Sequence, residues 1–238
     1  RGRGGRNRGV CPGCAEACST RGDWKVIGDF IDGPLWYLSL TVFLLGVVWR
    51  LVAILRVGVA PDFSTARHGG AGGALRTLFT RSLPRRPVFT RGKVQLIAGY
   101  MFHLGLFALL FLAQPHVEFI SERITGFGWV TLPHWGFILA AEVAFAGLLL
   151  LLLYRLMNPV TRLISDTGDY TASLLVFLVM LSGCLALAQA YEGLRLLHLL
   201  LAELLLIYFP FSTLMHAFTF AISRGYTGAA MARKGVNA

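Results

Sequence analysis

Long apolar runs separated by shorter polar segments dominate the pattern of the chain. Each run is about 20 residues or longer, the length that an α-helix needs to cross the hydrocarbon core of a bilayer. With 55% hydrophobic residues among 238, the chain is too apolar for a soluble domain. The pattern predicts an all-α membrane protein, a bundle of five transmembrane helices. The five runs are Pro34–Leu55, Val94–Val117, Trp135–Tyr154, Tyr170–Ala190 and Leu194–Ile222.

The basic residues lie mainly between the apolar runs, and their positions predict the orientation of the helices. The segment from Arg56 to Lys93 is rich in arginine, and Arg155 and Arg224 follow the third and fifth runs. Because short basic loops stay on the cytoplasmic side, the N-terminus is predicted to lie outside and the C-terminus in the cytoplasm. The net charge of +10 then reflects membrane topology, and nucleic acid is not expected as a partner.

The polar N-terminal tail, residues 1–32, carries three cysteines in the sequence CPGCAEAC, namely Cys11, Cys14 and Cys18. Their spacing suits an iron–sulfur centre or zinc, but a fourth ligand is missing locally. No histidine follows Cys14, as the attachment of a c-type haem would require. The alternatives are a disulfide with one spare thiol, or a tail in which the cysteines have no such role. The predicted five-helix domain, 33–223, and a cytoplasmic tail, 224–238, complete the chain.

The fifth run carries two histidines, although imidazole is costly to place in hydrocarbon without a partner. His198 and His216 are 18 residues apart, which is five whole turns of a regular helix. On one continuous helix both rings would project from the same side, about 27 Å apart along the axis. Two b-type haems, one toward each membrane face, would each need an axial ligand from such a helix.

The second run supplies candidate partners, His103 and His116. Under the predicted topology His103 shares the cytoplasmic half with His216, and His116 shares the outer half with His198. Their spacing of 13 residues is about 220° on a regular helix, so both face one partner only if the helix deforms. Pro115 is a cause of deformation, because it removes a backbone donor. We therefore predict two haem b groups held by these four histidines; the alternative for each is a hydrogen-bonded structural role.

Residues near these histidines are expected to support them. Gly99 and Gly105 would leave room beside His103, and Ser212 or Thr213 would accept a hydrogen bond from the second ring nitrogen of His216.

Three more titratable residues lie in or beside the apolar runs. His134, in the sequence LPHW at the outer boundary, is either an interfacial residue or a group that exchanges protons at physiological pH. Glu142 and Glu203 lie within spans, where a glutamate either reaches a neighbouring helix or the interface, or belongs to a proton path. Their spacing does not decide between these roles.

Four stretches of the chain resemble the gamma subunit of respiratory nitrate reductase, a membrane cytochrome b, and its relatives in sulfur-metabolism and hydrogenase-linked complexes. They are MFHLG at Met101–Gly105, NPVTRLISDTGDYTASLLV at Asn158–Val176, FPFSTLMH at Phe209–His216 and, more loosely, FLLGVVWR at Phe43–Arg50.

The resemblance implies ligand roles for three of the histidines. His103 and His216 match the ligands of one haem, and His198 matches one ligand of the outer haem. The family's fourth histidine falls at Ala113, so His116 would take over its role at a shifted height. The lysine that the family places beside its quinol pocket has no counterpart, and His134 is the nearest titratable group at that level.

The implied function is that of a quinol-reactive subunit in a prokaryotic inner-membrane oxidoreductase complex. Quinol would lose two electrons and two protons at the outer haem, with His134 as the catalytic proton acceptor. Electrons would pass through the His103–His216 haem to an iron–sulfur subunit at the cytoplasmic face and on to a catalytic subunit. Quinone reduction would use the same parts in reverse.

Two other functional classes fit a chain with histidine and glutamate inside its spans. A transporter subunit would use these groups to bind or move its substrate, but it predicts internal repeats and broken helices, which the sequence does not display. A haem-free membrane anchor is the third class. A dithionite-reduced absorbance spectrum would distinguish the three.

Overall fold

A computed structural model describes residues 24–58, 63, 65–83, 89–90, 92–187 and 191–236. The described part is helical and contains no strand, in agreement with the predicted all-α class. The cysteines at positions 11, 14 and 18 lie outside the described residues, and so do the roles considered for them.

Five helices are long and apolar enough to cross a membrane, which confirms the predicted number of spans. The first begins at Trp24, inside the segment predicted to be a polar tail, and contains a π-helical turn at Ile31–Leu35. The spans are α1 (Trp24–Val57), α3 (Lys93–Leu112), α5 (His134–Met157), α7 (Thr167–Leu187) and α8 (Glu192–Tyr208). The shorter helices are α2 (Gly70–Thr80), α4 (Gln114–Ile120) and α6 (Pro159–Ile164), and α9 (His216–Arg233) closes the chain.

Contacts between small residues bring α3 and α5 close together. A Cβ at Gly105 would lie 2.7 Å from the Ala140 carbonyl oxygen, and one at Gly147 would lie 2.8 Å from the Ala98 carbonyl oxygen. Small residues allow two backbones to approach at this distance. The expectation that Gly105 leaves room beside His103 is therefore wrong, because its open side is filled by α5.

The apolar core lies where α3, α5 and α7 meet. Its buried members come from all three helices and are Leu109, Ala141, Ala144, Leu148, Val176 and Met180. The apolar side chains that surround these residues include Phe102, the neighbour of His103. The core therefore fixes the segment of α3 that carries this histidine.

Helix α8 packs against α7 on one side and α1 on the other. A Cβ at Gly28 would lie 3.5 Å from Leu196, and one at Gly46 would lie 2.6 Å from Pro210. Residue numbers rise together along the two helices, so α1 and α8 run in parallel. In a bundle whose successive spans alternate in direction, the first and fifth spans must run in the same direction. The parallel arrangement of α1 and α8 agrees with this requirement.

The fifth span is interrupted between its two histidines. Helix α8 ends at Tyr208, two short 3₁₀ turns cover Phe209–Phe211 and Thr213–Met215, and Ser212 between them is extended. The prediction of one continuous helix over Leu194–Ile222 is therefore wrong, and so is the expectation that the chain has no broken helix, which counted against a transporter subunit. Pro210 is the physical reason, because a proline inside a helix removes a hydrogen bond and clashes with the preceding turn.

A second break lies between α3 and α4, near Pro115. Helix α3 ends at Leu112, the backbone of Ala113 is extended, and Pro115 occupies the first turn of α4. The deformation expected from Pro115 thus takes the form of a complete break. The break reorients His116 relative to His103.

Helices α2 and α9 form a cap on one end of the bundle. Gly73 and Thr77 pack against Gly228 and Ala232, and the backbone N–H of Arg67 donates to the carbonyl of Arg233 at 2.8 Å. We call this end of the bundle the cap end and the opposite end, which carries α4, the α4 end.

Candidate functional site

The structure brings His103 and His216 together near the cap end. Their ring centroids are 5.9 Å apart and the ring planes are nearly perpendicular, at 78°. His103 projects from the middle of α3, whereas His216 is the first residue of α9, directly after the second 3₁₀ turn. This cap-end pair joins the two histidines that the sequence places at one depth.

The second pair consists of His116 and His198, near the α4 end. Their ring centroids are 6.0 Å apart and the planes are nearly parallel, at 22°. His116 comes from α4 and His198 from the second turn of α8. The structure therefore brings together both predicted pairs of histidines, while haem ligation itself stays a prediction.

All four rings are hydrogen-bonded through Nδ1 to a backbone carbonyl. The acceptors are Gly99 for His103 at 2.7 Å, Leu109 for His116 at 2.8 Å, Val179 for His198 at 3.1 Å, and Thr213 for His216 at 2.8 Å. A carbonyl oxygen only accepts, so Nδ1 carries the proton in each ring. In the neutral imidazole, Nε2 is then left with a lone pair for a metal ion.

The distances between the rings fit one iron atom between each pair. A metal–imidazole bond is about 2 Å long and a ring nitrogen lies about 1.2 Å from the ring centroid, so two imidazoles on opposite sides of one metal ion would have centroids about 6.4 Å apart. The observed distances of 5.9 and 6.0 Å lie within about 0.5 Å of this value. Each pair supplies only two ligands, so the remaining ligands of the iron would come from another group, as a porphyrin provides.

Gly183 provides the space that the His198 ring occupies. A Cβ at Gly183 would lie 2.9 Å from Cε1 and 3.2 Å from Nδ1 of that ring. Ser182, its buried neighbour on α7, lies with its hydroxyl 3.2 Å from the same Nδ1. The position of the His198 ring therefore depends on the rotation of α7, which the sequence pattern did not reveal.

A cavity of about 360 Å³ opens beside His103 and His216. Its walls include apolar residues of α5 and α7, such as Leu148 and Val176, and the polar side chains of Thr161 and Ser165. A Cβ at Gly99, the residue whose carbonyl holds His103, would meet no atom within 4 Å apart from its chain neighbours and the backbone of its own helix. The cap-end pair thus faces open space of a size typical for bound small molecules.

An ion pair lies in the wall of this cavity. Nη1 of Arg155 is 2.8 Å from Oδ2 of Asp169 and also donates to the hydroxyl of Ser165 at 3.0 Å. Both residues belong to or flank the stretch Asn158–Val176, yet their pairing depends on how α5 and α7 meet. The ion pair adds a guanidinium and a carboxylate to a cavity wall of mixed polar and apolar side chains.

The residues expected to support His216 behave differently from one another. The carbonyl of Thr213 accepts the hydrogen bond from the ring, as expected. The hydroxyl of Ser212 instead donates to Phe209 and accepts from the N–H of Leu214, so it caps the second 3₁₀ turn. Ser212 therefore holds the backbone that carries His216 and does not bond to the ring.

His134 is the first residue of α5, at the α4 end, and its side chain is exposed. The N–H of Leu132 donates to the carbonyl of Leu112 at 2.8 Å, which holds the start of α5 beside the end of α3. His134 is thus at the same end of the bundle as His116 and His198. Its placement at the boundary of a span agrees with the prediction.

The two intramembrane glutamates differ in their surroundings. Glu142 is exposed on α5, where its side chain faces away from the bundle. Glu203 on α8 is 4% exposed, and its Oε2 has no hydrogen-bond partner. The structure thus separates an ordinary outward-facing carboxyl group from a buried one.

A protein of Nitratidesulfovibrio vulgaris (strain Hildenborough) is similar to this chain. The two are 28% identical over 212 residues, which cover 84% of this chain and 91% of the relative. The description of the relative names no activity. No family model matches the chain, and no solved structure matches it. The likeness extends over most of both polypeptides.

Proposed function

We propose that the protein is a di-haem cytochrome b subunit that exchanges electrons between the quinone pool and a partner protein. One observation carries the proposal: two cross-helix histidine pairs, each with ring centroids about 6 Å apart, have every Nδ1 hydrogen-bonded to a backbone carbonyl. The resemblance to the nitrate reductase gamma subunit points to the same function.

His116 and His198 would hold one haem, and His103 and His216 the other. A b-type haem supplies reversible one-electron chemistry when it is bound. The protein holds the four rings in one tautomer, through carbonyls that cannot donate. The His198 ring packs closely against α7, whereas His216 is exposed, and solvent exposure is one of the factors that tune a haem's potential. Arg155 is placed to interact with a carboxylate that enters the cap-end cavity.

Quinol oxidation is assigned to the α4 end, which the charge pattern predicts to be the outer end. His134 is exposed there, and an imidazole can accept a proton near neutral pH. Each quinol releases two electrons into the bundle and two protons to the outer solution. The same residues serve quinone reduction when the driving force is reversed.

The cap end is assigned to the cytoplasm and to the partner protein. Residues 65–83 and 216–236 contain six basic residues and no acidic residue. An iron–sulfur subunit with an acidic face would complement this surface and would lie close to the His103–His216 pair. Further catalysis is expected on a separate subunit of a complex in the inner membrane of a prokaryotic cell.

An absorbance spectrum of the purified protein tests the proposal. Reduction with dithionite should give the bands of a b-type cytochrome, and a pyridine haemochrome assay should give about two haems per chain. A protein with no such bands would be a haem-free anchor or a transporter subunit instead.

The assigned orientation has its own test. A cysteine introduced at Ser121 should react with an impermeant reagent added to intact cells, whereas one at Ser82 should react only after the membrane is opened. The opposite labelling pattern would exchange the quinol and partner ends of the bundle.

A further inference from the structure

Glu203 is the feature of the bundle that the electron path leaves unused. Among the buried polar residues of the described segments, Ser39, Thr77 and Ser182 each donate a hydrogen bond to a backbone carbonyl, whereas Oε2 of Glu203 has no partner. A buried carboxylate without a partner is costly, and intramembrane carboxyl groups commonly mark proton paths. A proton-binding role for Glu203 requires access to the aqueous solution on one side of the membrane.

The position of Glu203 along α8 lies between the two histidine pairs. It follows His198 by five residues, so it lies about 7.5 Å farther along the axis and about 140° around the helix. Leu196 and Pro210, each seven residues from Glu203, both lie against α1. Residues seven apart share one side of a helix. Glu203 therefore belongs to the side of α8 that packs against α1.

The facing side of α1 is polar toward the α4 end. Asp32 lies in the π-helical turn near that end, and its side chain is 33% exposed. Arg195 donates to Asp32 at 3.2 Å and also pairs with Glu192 at 2.9 Å. Ser39 follows Asp32 by seven residues and is completely buried. Asp32, Ser39 and Glu203 thus form a polar series that enters the bundle from the α4 end.

The other direction is closed by direct packing. At Gly46, seven residues beyond Ser39, α1 lies so close to α8 that a Cβ would come within 2.6 Å of Pro210. Pro210 is fully buried, and both residues lack a polar side chain. Among the described residues, the polar side chains of this interface therefore lead from Glu203 toward the α4 end and not toward the cap end.

We propose that Glu203 is a redox-linked proton-binding site that exchanges protons with the solution at the α4 end. This inference rests on the proposed haem function. When quinol or a chemical reductant delivers an electron to the histidine-bound cofactor, one proton from that solution binds to the Glu203 carboxylate. Oxidation removes the electron and releases the proton. The added positive charge balances the added negative charge, which would otherwise be unfavourable inside a low-dielectric bundle.

The other titratable groups around α8 leave Glu203 as the candidate. Asp32 is the charged group that interacts electrostatically with Glu203. It is partly exposed and paired with Arg195. On α7, Cys184 lies near the His198 level and Asp169 lies near the cap end, where it pairs with Arg155. Within α1, Tyr37 and Arg50 are exposed. Tyr208 on α8 donates to the Gly168 carbonyl.

Redox-induced infrared difference spectroscopy of the haem-loaded protein tests the proposal, with proton uptake measured by a pH-indicator dye. The wild type should show a protonated-carboxyl band that appears on reduction, with uptake approaching one proton per electron. Glu203→Gln should remove the band and most of the uptake. Glu142→Gln is the matched control, because its carboxyl group is exposed on another span, and it should change neither signal.

The outcomes separate this inference from the proposed function. Ser39→Ala should slow proton uptake while leaving the final amount unchanged, since it alters the route and keeps the carboxyl group. A b-type spectrum in Glu203→Gln with undiminished band and uptake would overturn the inference alone. Loss of uptake with Glu142→Gln instead would also overturn it. A wild type without any b-type spectrum would overturn the proposed function, on which the inference depends.

Discussion

The two histidine pairs have similar ring separations but are held in different ways. The rings of the cap-end pair bond to carbonyls three or four residues away on their own segments, Thr213 for His216 and Gly99 for His103. In the α4-end pair, His198 bonds across to Val179 of α7 and lies against Gly183. The cap-end pair therefore depends on local backbone geometry, and the α4-end pair depends on the packing of helices.

This difference extends to the surroundings of the rings. His216 is exposed and shares a cavity of about 360 Å³ with His103, whereas the ring of His198 fits closely against α7. Open space on one side and close packing on the other suit different tasks. Under the proposed function, the cap-end pair would have room to adjust near a partner protein, and the α4-end pair would be held rigidly where quinol oxidation needs constant geometry.

The largest effect is expected from replacing His198, whose ring is hydrogen-bonded to the neighbouring helix α7. His198→Ala should reduce the haem content from about two to about one per chain and abolish quinol-linked turnover, because the α4-end site loses an axial ligand. Haemochrome assay and quinol oxidation in membranes measure the two effects. Full turnover in this variant would mean that quinone meets the cap-end haem, and the assigned ends would have to be exchanged.

His216→Ala removes one ligand of the locally held pair. It should also leave about one haem per chain, yet quinol should still reduce that haem, because the α4-end site is intact. Transfer of electrons to an acceptor at the cap end should stop. Stopped-flow absorbance separates the two steps. Loss of reduction by quinol in this variant would show that the pairs do not work in the proposed order.

His134→Ala tests the proton acceptor at the α4 end without touching a ligand. Quinol oxidation should slow by about a hundredfold, the size expected when a general base is lost. Haem content and the dithionite-reduced spectrum should match those of the wild type. If the rate is unchanged, proton release from quinol does not depend on His134 and passes through another group at this end.

The smallest effect is expected from a single added methyl group. Gly183→Ala should displace the His198 ring and destabilise the α4-end site by about 1–3 kcal/mol, the usual cost of overpacking. Thermal loss of haem measures the change. Gly225→Ala is the control, because an added Cβ there would meet nothing within 4 Å. Alanine also has a higher helix propensity than glycine, so α9 should not be destabilised. Equal effects of both changes would refute the packing explanation for this pair.

Apolar run length was enough to predict five spans, because a bilayer sets a minimum length for a helix. It did not predict where the fifth run breaks, because Phe209–Met215 keeps enough apolar residues to continue the run. Pro210 was the local signal, and its role was outweighed by the regular spacing of His198 and His216. Pro115 also lies at a break, between α3 and α4, where the sequence predicts a deformation.

The pairing of the histidines was predictable from their depth in the membrane, because two side chains can share a cofactor only if they lie at the same depth. The supporting residues were harder to foresee. Gly105 packs against α5 and Gly183 against His198, and nothing in the sequence distinguishes one glycine from the other. Their roles depend on the rotation of neighbouring helices. The start of α1 at Trp24 was not predicted either, because Lys25, Asp29 and Asp32 interrupt the apolar run there.

The contact between α2 and α9 has a consequence for how the protein is made. Thr77 meets Gly228 at this contact, about 150 residues later in the chain, so the cap cannot close during synthesis of the first four spans. Helix α2 must therefore stay without its packing partner until α9 has been synthesised. The basic surface that α2 and α9 form together is completed only at that stage.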